Sequence, residues 1–107
     1  MLELNKDNFQ AEVLDHAGKT FVFFTGAGWA PCQAIKPFVV GCSETHADKL
    51  RFAMLDTSAA KRLAMSQKVM AIPTVVLYEN GEKAEVLLGK DNVNEATIEA
   101  LITKHTS

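Results

Sequence analysis

Four consecutive apolar residues, Phe21-Val22-Phe23-Phe24, stand between Thr20 and a glycine-containing loop that follows Thr25. Successive side chains of a strand point to opposite faces, so a run without polar alternates has to be covered on both. The segment Thr20 to Thr25 is therefore read as a central buried strand. With 107 residues, 48% of them apolar, one continuous core can be filled without disulfide staples, which predicts a single domain over residues 1–107.

The flanking segments alternate helix and strand. Phe9, Val13 and Leu14 recur at helical spacing within Asp7 to His16, and Gly18 closes that helix. After the Gly26 to Pro31 loop, Ile35, Phe38, Val39 and Val40 mark a long helix from Cys32 to about His46, which Pro37 is expected to kink. Leu50 to Leu55 reads as a second buried strand, and Ser58 to Lys68 as a short helix capped by Ser58. This alternation favours a parallel core. The chain then changes character. An apolar strand over Ala71 to Tyr78, opened by Pro73, leads through Asn80-Gly81 into a strand over Lys83 to Leu88. Asn-Gly between such runs is the strongest short hairpin signal. Gly89 ends the second strand, and Ile98, Leu101 and Ile102 predict a closing amphipathic helix over Asn94 to Thr106.

Charge and cysteine usage exclude several functions. A net charge of −2 and a pI near 5.9, with no basic stripe interleaved with aromatics, argue against nucleic acid or an anionic membrane as partner. No apolar stretch approaches the roughly 18 residues of a membrane span, and Met1 to Lys6 lacks a signal-peptide pattern, so a cytoplasmic location is expected. Cys32 and Cys42 are too few for a disulfide scaffold. His16, His46 and His105 are too scattered to complete a metal site with them and are read as surface residues on helices. Neither a metal nor another cofactor is expected.

In order along the chain come a buried strand, the loop Gly28-Trp29-Ala30-Pro31-Cys32, a helix containing Pro37, then Ile72-Pro73-Thr74, the Asn80-Gly81 turn and Gly89. Together these motifs resemble the thioredoxin family from end to end. The family's loop reads Trp-Cys-Gly-Pro-Cys, so Cys32 stands at its second cysteine and Trp29 at its first. The resemblance implies an α/β fold, a three-layer α/β/α sandwich around a mixed sheet of four to five strands. It implies a cis bond before Pro73 and a monomer that reduces protein disulfides and is itself served by a thioredoxin reductase. It also implies that Gly28, Ala30, Pro31, Ile72, Pro73 and Gly89, with Trp29, form a shallow surface where an extended substrate segment lies.

Disulfide reduction of this kind takes two thiols: a thiolate at a helix N-terminus attacks the substrate, and a second cysteine resolves the mixed disulfide. By position, Cys32 is the resolving cysteine. Trp29 holds the attacking place, and an indole can neither attack sulfur nor form a disulfide, so the cycle is expected to be impaired. Cys42 does not substitute, because ten helical residues set it roughly 15 Å from Cys32, beyond the roughly 7 Å reach of a disulfide. Phe23 stands where the family usually buries an aspartate, and Met54 where a lysine pairs with it. The usual proton relay is thus missing, and water is left to act as base. Thr25 and Gly28 replace tryptophans that commonly flank the loop. A tryptophan codon lies one base from both cysteine codons and from the stop codon that can specify selenocysteine, which opens position 29 to recoding. Two other readings remain: a redox-inactive binding module in which Trp29 fills the groove over Pro73, and a single-thiol enzyme that works through Cys32 with an external thiol.

Overall fold

The computed structural model describes residues 1–107. The apolar run occupies the middle of a five-stranded sheet, in strand β2 (Lys19–Thr25). The sheet order is β1 (Leu2–Leu4), β3 (Arg51–Asp56), β2, β4 (Thr74–Glu79), β5 (Glu82–Leu88). β1, β3 and β2 run parallel, whereas β4 is antiparallel to both β2 and β5, which makes the sheet mixed.

Alternation along β2 explains why it has no polar face. Phe21 and Phe23 point into a core closed by helices α1 (Ala30–Thr45) and α3 (Glu95–Thr106), through Val39, Cys42, Ile98, Leu101 and Ile102. Val22 and Phe24 point the other way, to Phe9, Val13 and the short helix α2 (Lys61–Ser66) through Ala64. Residues Phe21 to Phe24 have no measurable exposure, and burying such side chains contributes about 1.5–3 kcal/mol each. Both faces are apolar because both carry a helical layer, which gives the three-layer arrangement.

The Asn80-Gly81 turn has both residues at positive φ, 54° and 83°, as the hairpin turn matched to strand twist requires. Asn80 also accepts a hydrogen bond from Gly18 N at 2.8 Å through its side chain and donates its own backbone N–H to Gly18 O at 2.9 Å. Only glycine fits at position 81, where a Cβ would sit 2.1 Å from the Leu14 carbonyl oxygen.

Several element limits differ from the sequence reading, each for a local reason. The first helix is not a regular helix over Asp7 to His16. Asn5 and Asn8 cap a turn, and Gln10–Leu14 forms one wide turn in which Asp15 N reaches Gln10 O at 2.8 Å. Ser58 is not a cap. Asp56 takes that role, accepting from Ser58 N at 2.9 Å at the head of a 3₁₀ turn, Thr57–Ala59, and α2 starts later, at Lys61. α1 begins at Ala30 rather than Cys32, and β4 at Thr74 rather than Ala71. β1 is too short to show a period. It pairs with β3 and buries Leu4. The histidines are not plain surface residues on helices: His16 lies in a loop, and His105 is only 9% exposed, with Nε2 2.6 Å from Glu85 Oε2.

Candidate active site

The site forms where β2 leaves the sheet and α1 begins. Trp29 is the residue that precedes the first helical turn, in an extended conformation (φ −95°, ψ 116°), and its carbonyl accepts the N–H groups of Cys32 and Gln33, both at 3.0 Å. No side chain caps the helix; within its first turn the Cys32 N–H goes to the Trp29 carbonyl. Pro31 suits that turn because its missing N–H has no helical partner there. The result is an exposed side chain at 29, half open to solvent (50%), and a buried thiol at 32, one turn further on (1%).

Trp29 and Cys32 face different spaces. The Trp29 side chain lines a groove of about 430 Å³ with Ala71, Ile72, Leu88 and Gly89, and its Nε1–H donates to the Ile72 carbonyl at 3.2 Å. The Ile72-Pro73 bond is cis, Pro73 is buried and Ile72 is half-buried. Gly89 has φ +81°, a conformation that disfavours any side chain. Of the surface expected from the sequence, the groove therefore gathers Trp29, Ile72 and Gly89. Ala30 is exposed at the start of α1, Pro31 is half-buried beside it, and Gly28 turns away to the opposite side of the loop.

Cys32 and Gly28 line a second cavity, of about 370 Å³, behind the loop, with Glu3, Lys36, Met54 and Asp56. Hydrogen bonds from Ser58 hold the Asp56 carboxyl below the usual carboxylate range, with a smaller contribution from Lys36. Beneath Met54, which lines this cavity, the strand register sets Phe23 directly opposite Met54 on one side and Val75 on the other. No charged side chain occupies either position 23 or 54. A cavity lined by Glu3, Lys36 and Asp56 is polar and large enough to hold water.

Cys42 is a separate matter. It is a free thiol in the core between α1 and α3, and burial, with Glu99 and Glu95 adding to it, pushes its pKa up. It belongs to packing rather than to the site. Thr74 was missed as a site residue. Its buried hydroxyl donates to Ala71 O at 2.7 Å and accepts from Gly89 N at 3.2 Å, tying the two walls of the groove together. The available signal was a hydroxyl-bearing, β-branched residue directly after Pro73. Leu88 was also missed, as a residue assigned only to a strand.

The thioredoxin family model matches residues 1–104. Among curated proteins, the chain is 38% identical over 105 residues to a thioredoxin of Acetoanaerobium sticklandii, covering 98% of this chain and 99% of that one. A thioredoxin of Peptoclostridium acidaminophilum is 40% identical over 105 residues, covering 98% and 94%. An M-type chloroplastic thioredoxin of Chlamydomonas reinhardtii is 29% identical over 102 residues, covering 95% and 71%.

Proposed function

The chain belongs to the thioredoxin family of thiol-disulfide oxidoreductases, and on that premise we propose that it is built to reduce protein disulfides and that its cycle halts at position 29. The observation that carries this reading is the pairing at the head of α1, an exposed residue at 29 and a buried thiol at 32. Position 29 closes the first turn of α1, its carbonyl 3.0 Å from Cys32 N, so a sulfur there would lie close enough for Cys32 to resolve it. Trp29 supplies none. An extended segment of the substrate protein lies in the groove beside Ile72 and Gly89, and electrons reach the site from a thioredoxin reductase. The protein acts as a monomer in the cytoplasm.

Reduction of insulin by dithiothreitol tests this, with the chain as it stands and with Trp29→Cys. The expected result is background turnover for the first and a gain of several orders of magnitude for the second, up to about 10⁶-fold, which is what deletion of a nucleophile costs. Turnover in the unaltered chain that Cys32→Ser abolishes would overturn the role given to Trp29.

A second reading has one observation behind it. The hydrogen bond from Trp29 Nε1–H to Ile72 O ties the indole to the groove wall, which suits a redox-inactive module that binds protein segments without reducing them. Failure of Trp29→Cys to gain activity, together with saturable binding of a defined protein segment that Trp29→Ala weakens, would favour it.

A further inference from the structure

The groove beside Trp29 does not stand alone. Its Ala71-Ile72 wall is shared with a second hollow of about 450 Å³ on the α2 side, lined among others by Lys61, Ala64, Met65, Val69 and Met70. Met65 and Met70 are 60% and 72% exposed and belong to neither core cluster. With Trp29 and Leu88 they are four of the six large apolar side chains that the fold leaves open to solvent. Four such residues lining two adjoining hollows make one patch rather than scattered exposure, and a contiguous apolar patch marks an interaction surface.

Charge around the α2 side of this patch has one sign. From Thr57 to Tyr78 the sequence has Lys61, Arg62 and Lys68 and no aspartate or glutamate, in a chain whose net charge is −2. All three are exposed, and none pairs with a carboxylate. Lys83 adds a fourth cation from β5: its ammonium donates to the Gln67 carbonyl, and burial together with the charge of Lys68 lowers its pKa. Asp91, next to Lys90, is the one carboxylate that lines either hollow. Unpaired cations crowded beside an apolar patch favour an anionic partner.

Shape selects the kind of anion. On one face of an extended chain, side chains recur about every 6.6 Å, so a segment crossing the Ala71-Ile72 wall drops residues i and i+2 into the two hollows. A flat bilayer has nothing to fill them with. Methionine side chains are unbranched and flexible, and repack around apolar residues of different shape. We propose that this face docks an extended protein segment with apolar residues at alternate positions flanked by carboxylates, the methionines accepting the apolar side chains and Lys61, Arg62 and Lys68 the charges. This rests on the reading of the Trp29 groove as the seat of an extended substrate segment, and it names the class of segment.

Binding is read from the emission of Trp29, the sole tryptophan of the chain and a wall of the groove, with calorimetry as a second readout. The probes are peptides of equal length: one carries two apolar residues at alternate positions flanked by glutamates, a second has lysines for the glutamates, and a third has serines for the apolar residues. The first should bind saturably, at least about tenfold tighter than either of the others, and lose affinity as salt is raised. Lys61→Glu and Met70→Ser should each weaken it about fivefold, whereas Lys49→Glu, the same charge change beyond the C-terminal end of α1, leaves it unaltered. Absence of binding, equal affinity for all the peptides, or an equal loss in Lys49→Glu overturns the proposal. So does self-association of the chain, or a response to phosphatidylglycerol vesicles, without a response to the acidic peptide, which gives the patch to a second copy or to a membrane. The outcome is separable from the reductase reading. Insulin reduction by Trp29→Cys with no preference for the acidic peptide would remove this inference and leave that reading standing, and the preference without any gain of turnover in Trp29→Cys would do the reverse.

Discussion

The groove in front of the loop and the wall behind it are built by different means. The front depends on backbone: the cis bond before Pro73, the positive φ of Gly89, and the Thr74 hydroxyl that joins Ala71 to Gly89. The back depends on side chains set in register across β2 and β3, Phe23 against Met54. A backbone shape tolerates few residues, whereas a position inside a packed core accepts any apolar side chain of suitable volume. This difference leaves the front intolerant of substitution and the back open to other apolar pairs.

The comparison breaks first, if it breaks, at Phe23. Phe23→Asp places a carboxylate at a fully buried position and removes a ring, and it should cost at least about 3–5 kcal/mol in urea unfolding. Adding Met54→Lys should recover part of that loss, since the two positions are direct neighbours. A loss below about 1 kcal/mol would mean that the wall is not packed.

Smaller effects belong to the front. Gly89→Ala meets only ordinary contact, with Ala71 Cβ 3.7 Å from the new methyl, so its cost is the positive φ alone, about 1–2 kcal/mol by thermal unfolding. Trp29→Ala should cost no more than about 1 kcal/mol, the worth of one solvent-exposed hydrogen bond with a half-exposed ring. A larger loss would show that the indole is structural.

The smallest effect is one of pH, at Cys42 in the same core as Phe23. Its pKa is raised by burial above the ordinary thiol range, so the folded state holds the proton more tightly than the unfolded chain. The stability this contributes is present below the unfolded-chain thiol pKa and is lost as pH rises through the folded value. Alkylation of Cys42 in the native protein should accordingly have its midpoint above that of the unfolded chain, with the pH profile as readout.

Much of this architecture was legible from residues. The unbroken Phe21 to Phe24 run pointed to a central strand because period-two geometry leaves no other way to bury it, and Asn80-Gly81 pointed to the hairpin because both residues tolerate positive φ. The Pro-Cys loop, Pro37 and Ile72-Pro73 located the site. The irregular start was not legible. Asn5 and Asn8 cap a wide turn where apolar spacing suggested a longer helix, and β1 has only three residues, below the length at which a period shows. Ser58 looked like a cap because capping types cluster there, but Asp56 stands at the strand end, where its side chain reaches back to Ser58 N.

The residues alone determined which chemistry is missing, since no conformation gives an indole a sulfur atom. Tertiary structure decided how that loss sits in the molecule. It turned Trp29 toward Ile72 and the groove, turned Cys32 and Gly28 toward a separate cavity with Glu3, Lys36 and Asp56, and set Phe23 against Met54. Residue type is a local property, whereas these neighbours come from different strands and helices, and only chain packing brings them together.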